Sequence, residues 1–102
     1  MKVDWDSSNN GTTVRATISG SIDTASAPEL EDEINAHRLG ISEMIIDFSS
    51  VSYISSAAIR VLLAVHRQMS GRGDNFILRH LSSDVQESIE TCGLDMIFNI
   101  EK

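Results

Sequence analysis

Residues 43–48 have the sequence Glu-Met-Ile-Ile-Asp-Phe and predict the central element of the fold. This run is short, apolar and rich in β-branched side chains, which predicts a central strand covered on both faces or nearly so. A helical pattern follows the serine-rich segment 49–56. Its apolar positions are spaced at i, i+3, i+4, i+7 and i+11 and are Ala58, Val61, Leu62, Val65 and Met69. Gly71 and Gly73 are expected to end this helix.

The chain before this unit predicts an antiparallel hairpin. Asn9-Asn10-Gly11 is a turn signal that separates a short opening strand, around Val3 and Trp5, from a second strand over residues 12–19. Apolar and polar side chains alternate in the second strand, which is the period of a half-buried strand. We expect Trp5 to cover the edge of the sheet rather than to bind a ligand.

A first helix is predicted to start at Ser26-Ala27-Pro28-Glu29. This segment resembles a capping box, in which the Ser26 side chain accepts a hydrogen bond from a free backbone N–H and Glu29 reaches back. Pro28 is tolerated in the first turn, where its missing N–H would lack a partner. The helix is expected to bury one narrow apolar stripe and to end at Gly40.

The rest of the chain predicts a strand, a helix and a closing strand. Residues 76–78 are the strand, and Ser83-Asp84-Val85-Gln86 is a second capping box. The third helix carries Cys92 on its apolar face, where we expect it to be a small core residue. Residues 96–100 close the chain as a strand. The order β-β-α-β-α-β-α-β predicts an α/β fold with a mixed sheet, because strand–helix–strand crossovers make neighbouring strands parallel.

The composition fits a single globular domain and limits its partners. The chain has 102 residues, 41% of them hydrophobic and 23% charged, and we expect residues 1–102 to form one domain. The formal charge of -7 disfavours binding to nucleic acid and to anionic lipid. Cys92 is the only cysteine, which fits a reducing, cytoplasmic compartment. No signal peptide or bilayer-spanning stretch is visible, so no membrane association is expected.

Residues 51–58, Val-Ser-Tyr-Ile-Ser-Ser-Ala-Ala, place a cluster of serines where the buried strand leads into the apolar helix. Ser55 or Ser56 is the expected N-cap of that helix. An N-cap hydroxyl lies beside unpaired N–H groups at the positive end of the helix dipole, a position that suits the charge of a phosphate. From the residues alone two hypotheses stay open: the serines only cap the helix, or one of them is a phosphorylation site.

Two separated motifs resemble the anti-sigma factor antagonist (STAS domain) family. The first consists of Gly20-Ser21-Ile22-Asp23 and Ser26-Ala27-Pro28-Glu29-Leu30, and the second covers residues 46–63 around Ser55-Ser56. The resemblance extends over essentially the whole chain and includes Gly93-Leu94 before the last strand. It implies a STAS-like fold, with a mixed central β-sheet and α-helices packed mainly on one side.

The resemblance implies a regulatory protein of bacterial partner switching and not an enzyme. In such systems the unphosphorylated antagonist binds an anti-sigma factor that is also a serine kinase of the GHKL ATPase type, and this binding frees the sigma factor. The kinase phosphorylates one serine at the start of the second core helix, which ends the binding. A metal-dependent serine phosphatase restores it. We therefore expect no catalytic residue, no cofactor and no metal in this chain.

Carried over onto this sequence, the phosphoacceptor of the family falls on Ser56. The acidic residue in the loop before the first helix falls on Asp23. The resemblance implies that the second core helix and this loop form the partner-binding surface, with contributions from Asp23, Ser55, Ala58, Ile59 and Arg60.

Three positions depart from the common pattern of the family. Ser55 stands where an acidic residue often precedes the phosphoacceptor, Ala58 where glycine is usual, and Ile59 where leucine is usual. The Ala58 methyl group adds bulk where a partner would approach, so the identity of the kinase stays open. Two other functions also stay open: a STAS scaffold subunit of a larger complex, in which Ser56 only caps a helix, and a switch whose target is not a sigma factor.

Other candidate sites carry less weight. His37, His66 and His80 lie on three different predicted elements without ligand-like spacing, so we expect no metal site. Ser56 with a histidine would suggest a hydrolase, but no Gly-x-Ser-x-Gly turn and no oxyanion signature are present. Arg60 and Arg67 share one helix face, which we expect to be solvated, with pairing to an acidic partner as the alternative.

Overall fold

The structure is a computed structural model that describes residues 1–101. Within that part of the chain, five strands and three helices follow one another in the order that the sequence predicts. Their bounds are β1 Lys2–Ser8, β2 Thr13–Ile22, α1 Ala27–Ala36, β3 Glu43–Ile54, α2 Ser56–Gly71, β4 Asn75–Arg79, α3 Ser83–Thr91 and β5 Asn99–Glu101. Within residues 1–101, each of the three helices is too short or too polar to span a bilayer.

The strands form one mixed sheet in the order β1-β2-β3-β4-β5. β1 pairs with β2 in antiparallel orientation, and the other neighbours are parallel. The turn between β1 and β2 has positive φ angles of 54° at Asn9, 59° at Asn10 and 83° at Gly11. Asparagine and glycine tolerate this left-handed backbone best, which is why the tripeptide closes the hairpin. The predicted hairpin and mixed sheet are confirmed.

The helices cover one face of the sheet. The strand registers place Ala16, Ile46 and Leu78 side by side, and all three belong to the buried core that the helices also enter. Ile45 is 5% exposed, but it points to the opposite face and lies outside this core. The expectation of a strand covered on both faces or nearly so agrees with the burial of Met44, Ile45 and Ile46, which are at most 5% exposed, although the helices cover only one face. On the far side Ile45 is flanked by the half-buried strand neighbours Arg15 and Ile77.

Two strands extend further than the sequence pattern predicts. β2 continues to Ile22 instead of ending at residue 19, and β3 continues to Ile54 instead of ending at Phe48. The two extensions pair with each other, since Ile22 lies opposite Ile54, with register shifts in between. Cross-strand pairing thus holds a serine-rich segment in extended form that local composition assigns to a loop.

Three ends differ from the predictions. α1 ends at Ala36, where the N–H of His37 donates to the Ile34 carbonyl, and Gly40 lies in the following turn rather than at the helix end. The cap of α3 is Ser82 rather than Ser83. β5 begins only at Asn99, because a hydrogen-bonded turn on the Leu94 carbonyl occupies residues 95–98.

Trp5 joins the edge strand β1 to α1. Its Nε1–H donates to the Glu33 carboxylate at 2.6 Å, and its ring stacks on His37 with a centroid distance of 3.9 Å. The indole is half-buried against the core. The expectation that Trp5 covers the edge of the sheet is confirmed.

Candidate functional site

Ser55 and Ser56, which lie where β3 leads into α2, differ in burial and in hydrogen bonding. Ser55 has an extended backbone, with φ -82° and ψ 162°, and its Oγ accepts from the Ala58 N–H at 3.2 Å. Its own N–H donates to the Ile22 carbonyl at 2.8 Å, and its side chain is only 4% exposed. Ser55 is therefore the N-cap of α2, which settles the choice that the sequence leaves open.

Ser56 is the first residue of α2, and its side chain is exposed. Its hydroxyl makes no hydrogen bond to any other residue of the described range 1–101. The first turn of α2 contains no acidic residue, so no carboxylate of the helix itself neutralises the positive end of the dipole. The Ser56 hydroxyl is accessible and lies where a negative charge is tolerated.

The sheet topology brings the Asp23 loop to the same edge as Ser56. β2 and β3 are parallel and end together, with Ile22 opposite Ile54. Asp23 follows Ile22 directly, and Ser55 hydrogen bonds back to Ile22. The two motifs that lie far apart in the sequence therefore meet at one edge of the sheet.

Asp23 organises the loop that precedes α1. Its Oδ1 accepts from the Ser26 N–H at 2.8 Å and from the Ser26 hydroxyl at 2.6 Å. These bonds, the hydroxyl first, lower the pKa of the Asp23 carboxyl from its usual value. Ser26 has a helical backbone, and its side chain caps no helical N–H. The predicted capping box at Ser26 is wrong, because its hydroxyl donates to Asp23 instead.

The residues predicted to bind a partner fall into two groups. Asp23 and Arg60 are exposed, and Arg60 lies one helical turn after Ser56. Ser55, Ala58 and Ile59 are 4%, 0% and 3% exposed. The side chains of the buried group face the protein interior at the first turn of α2. Direct contact with a partner is open to the exposed group, and the partner-binding role of all five stays a prediction.

A groove lies beside Ser56, between the end of β3, the first turn of α2 and α3. The groove is open to solvent and has a volume of about 490 Å³. Ser56 and Ile59 line its α2 side, and Asp84 and Glu87 line its α3 side. Tyr53, which is 52% exposed, stands at the end of β3. Ser56 therefore stands between an acidic groove and the outer face of α2.

The amino-acid sequence matches the family model of the STAS domain over residues 5–102. The match spans nearly the whole chain and includes both the Asp23 loop and the start of α2 around Ser56. The chain belongs to the STAS domain family.

A curated relative and two solved structures place this STAS domain among similar proteins. BtrV of Bordetella bronchiseptica, which is named as an anti-sigma factor antagonist, is 33% identical over 86 residues, 83% of this chain and 74% of that protein. An anti-sigma factor antagonist from Mycobacterium paratuberculosis has a TM-score of 0.86 at 24% identity and covers 97% of this chain and 83% of its own. The predicted resemblance to this family is confirmed.

The second structure is the anti-sigma factor antagonist SpoIIAA of Bacillus, solved in an unphosphorylated and a phosphorylated form. The TM-scores are 0.76 and 0.73, and the identities are 14% and 16%. The alignments cover 99% of this chain and 88% and 92% of the SpoIIAA chains. At these identities the likeness of the solved structures shows the fold, and the predicted STAS-like architecture is confirmed.

Two surface features of this STAS domain escape the sequence patterns. Cys92, predicted to lie in the core, is exposed and lines the groove, because α3 ends at Thr91 and Cys92 lies at its C-cap. Tyr53 is exposed at the end of a strand that the sequence ends too early. After Phe48 the buried residues are Val51 and Ile54, a spacing of three with register shifts, so no strand periodicity in the sequence places Tyr53 on the surface.

The three histidines of this STAS domain have three different sets of contacts. His37 stacks on Trp5, His66 packs edge-on against Phe98, and His80 donates or accepts at Asp47 over 3.0 Å. Residues 1–101 contain no group of three or more His, Cys, Asp or Glu side chains placed to hold a metal ion.

Proposed function

We propose that this STAS domain is an anti-sigma factor antagonist whose binding is controlled by phosphorylation of Ser56. Unphosphorylated, it binds a GHKL-type serine kinase that is also an anti-sigma factor, and the sigma factor is released. Phosphorylation of Ser56 ends the binding, and a serine phosphatase restores it. The chain itself performs no catalytic step, and the cycle takes place in the cytoplasm, where ATP serves the kinase.

The observation that carries this proposal is that Ser55 caps α2, whereas Ser56 is exposed and does not take part in the cap. The Ser55 hydroxyl is buried and accepts the capping hydrogen bond from the Ala58 N–H. Ser56 is exposed and is not needed for the cap, so a kinase can reach its hydroxyl without unfolding α2. A protein substrate of a kinase needs only to present an accessible hydroxyl, because the kinase supplies ATP, Mg²⁺ and the base.

The charge around Ser56 supports the direction of the switch. Phosphorylation adds about -1.5 to -2 charges at pH 7. At Ser56 this charge joins Asp23 at the same edge of the sheet and the carboxylates of Asp84 and Glu87 in the groove. A partner surface that packs over Ser56 would then cover a dianion, which is unfavourable unless the partner supplies positive groups. The fold does not have to change for binding to end.

The comparisons support the class of partner. BtrV is named as an anti-sigma factor antagonist, and SpoIIAA is an anti-sigma factor antagonist with a structure in each phosphorylation state. These names belong to those proteins. Their likeness to this chain motivates the choice of an anti-sigma kinase as the first partner to test.

The decisive experiment is phosphorylation in vitro with each GHKL-type serine kinase of the source organism. The protein is incubated with kinase and ATP, its intact mass is measured, and the site is mapped by fragmentation. We expect one added phosphate on Ser56, absent in Ser56→Ala. Ser83→Ala is the matched control, since Ser83 is also the exposed first residue of a helix that follows a serine cap.

Three outcomes separate the functions. Phosphate on Ser56 that abolishes kinase binding supports the switch, and a sigma factor released at the same time supports the sigma pathway. Phosphate on Ser56 without a sigma factor in the complex supports a switch with a different target. A folded protein that no kinase modifies, and that stays bound in a larger assembly, supports the scaffold subunit and overturns the switch.

A further inference from the structure

The distribution of charge along the chain sets α2 apart from the rest of the molecule. The chain has fifteen Asp and Glu against eight Lys and Arg. None of the acidic residues lies between Asp47 and Asp74, a segment that contains all of α2. α1 and α3 both carry exposed acidic residues, including Glu29 and Glu87. α2 is therefore a cationic helix on an anionic protein.

The arginines of α2 have no acidic partner within residues 1–101. In the part of the chain that the structure describes, Arg15, Arg72 and Arg79 form ion pairs with Asp6, Asp74 and Glu101. Within residues 1–101, Arg60 and Arg67 form no ion pair, and both are exposed. Arg38 likewise has no carboxylate partner in the part of the chain that the structure describes, and its guanidinium donates to the Gln68 side chain on α2. Two of the three arginines without a carboxylate partner in the described residues thus lie on α2.

Helical geometry places two of these groups in line with the phosphoacceptor. Arg60 is four residues after Ser56, and Arg67 is seven residues after Arg60, so the three residues share one face of α2. All three side chains are exposed. We call the face formed by Ser56, Arg60 and Arg67 the arginine face.

We infer that the arginine face binds an acidic surface of the partner, and that a phosphate on Ser56 disables this face by pairing with Arg60. This inference rests on the proposed function and names the chemistry of the partner surface and the residue that responds to the phosphate. Unpaired guanidinium groups on an exposed face match carboxylates of a partner, which they bind by two-pronged hydrogen bonds.

The same face explains how the phosphate acts. An acidic group four residues before a basic one is the favourable orientation of a helical ion pair. Arg60 is the cation in that position relative to Ser56, whereas the groove on the other side carries Asp84 and Glu87, which repel a phosphate. The dianion therefore turns toward Arg60. The phosphate then repels an acidic partner and also removes the guanidinium group that would have bound it.

The first arm of the test needs no kinase, so it is independent of the proposed function. Phosphoserine is placed at position 56 during translation, and the phosphate is titrated by ³¹P NMR in the intact protein and in Arg60→Gln, Arg60→Lys and Arg72→Gln. We expect the phosphate to titrate about 0.2–0.4 pH unit lower with Arg60 than in Arg60→Gln, the size of a helical ion pair. Arg60→Lys retains most of the difference, and Arg72→Gln retains all of it because Arg72 already pairs with Asp74 at 2.8 Å.

The second arm measures binding of the unphosphorylated protein to the kinase that modifies Ser56. Arg60→Gln and Arg67→Gln are each expected to weaken binding roughly 3- to 10-fold at low salt and to flatten its dependence on salt, whereas Arg72→Gln is expected to change neither. Equal titration of the phosphate in the protein and in Arg60→Gln overturns the intrahelical pair. Unchanged affinity of both α2 variants overturns the acidic partner surface. If no kinase modifies Ser56, the proposed function fails, and the first arm still decides the pair.

Discussion

The N-termini of α2 and α3 have the same local design and different surroundings. Each helix begins with two serines, Ser55-Ser56 and Ser82-Ser83. The first serine of each pair has an extended backbone and accepts from a backbone N–H three residues later, at 3.2 Å in α2 and 3.3 Å in α3. The second serine is the exposed first residue of the helix.

The surroundings of the two pairs differ in charge and in neighbours. α3 has Asp84 in its first turn, and α2 has no acidic residue there. α2 starts where β3 ends, beside the loop that holds Asp23, and it continues into the arginine face. A serine cap is thus a common device of helix formation, and only its neighbours can make the following serine a regulatory site.

Partner binding should separate the two pairs most strongly. We expect Ser56→Asp to weaken binding to the cognate kinase by roughly 100-fold, because the new carboxylate would lose its hydration in the interface and would repel the acidic partner surface. Ser83→Asp is expected to change the affinity less than about twofold, in line with a surface charge outside the interface. Calorimetry with Ser56→Ala as the reference measures both. Equal affinities of Ser56→Ala and Ser56→Asp would contradict the switch.

Removal of either cap should give the next largest effect, on stability. Ser55→Ala and Ser82→Ala are each expected to lower the free energy of unfolding by about 0.5–2 kcal/mol. Ser55→Ala should lie in the upper part of this range, since its side chain is 4% exposed and the N–H of Ala58 would be left without a partner in a buried site.

Ser56→Ala and Ser83→Ala are the matched controls for the caps. Both are expected to change the free energy of unfolding by less than about 0.5 kcal/mol, as surface substitutions do. Urea denaturation of the four variants checks the set. A loss at Ser56→Ala as large as that at Ser55→Ala would return the cap role to Ser56 and favour the scaffold function.

The order of elements and the mixed sheet follow from the sequence because they depend on local periodicity and on turn chemistry. Residues 43–48 and the apolar stripe of α2 are strong signals of this kind. The length of β3 could not be predicted in this way. Residues 49–54 are polar enough for a loop, and they form a strand because β2 pairs with them up to Ile22. Pairing between distant segments leaves little trace in local composition.

The site shows the same limit. The resemblance of two motifs places Ser56 and Asp23 in one region, and the topology brings both to one edge of the sheet. Which serine caps α2 depends on a backbone angle at Ser55, and the sequence does not contain it. At Ser26 the predicted cap fails because Asp23, three residues earlier, accepts its hydroxyl. Competing short-range acceptors are visible in a sequence, but their geometry is not.

Acidic substitutions should separate the two helix ends in stability as well. Ser56→Asp is expected to raise the free energy of unfolding by about 0.3–1 kcal/mol, because it adds the first carboxylate to the dipole of α2. Ser83→Asp is expected to gain less, since Asp84 already occupies the first turn of α3. Thermal unfolding at low salt measures both gains, and Ser83→Asp in the background of Asp84→Asn should recover the larger value. Equal gains at both helices would show that Asp84 does not saturate the dipole of α3.

The smallest expected effect is the pH dependence of stability that comes from Asp23, the carboxylate in the loop beside the start of α2. The pKa of Asp23 is lowered from 3.8 by the hydroxyl and the N–H of Ser26, so the folded state favours the ionised carboxylate. A lowered folded pKa gives a stabilising contribution that is complete above the unfolded pKa near 3.8 and is lost as pH falls through the lower folded value. Asp23→Asn keeps an acceptor for Ser26 and removes the charge.

We therefore expect the stability difference between the protein and Asp23→Asn to be constant from pH 7 to about 5 and to shrink below about pH 4. Urea denaturation at closely spaced pH values measures it, with Ser26→Ala as the second variant, in which the hydroxyl that contributes most to the lowered pKa is missing. If the difference stayed constant down to pH 3, the Ser26 hydroxyl would not hold the charge of Asp23. The Asp23 carboxylate would then be free to turn toward Ser56. It would repel a phosphate on Ser56 more strongly than it does when hydrogen bonds to Ser26 hold it in place.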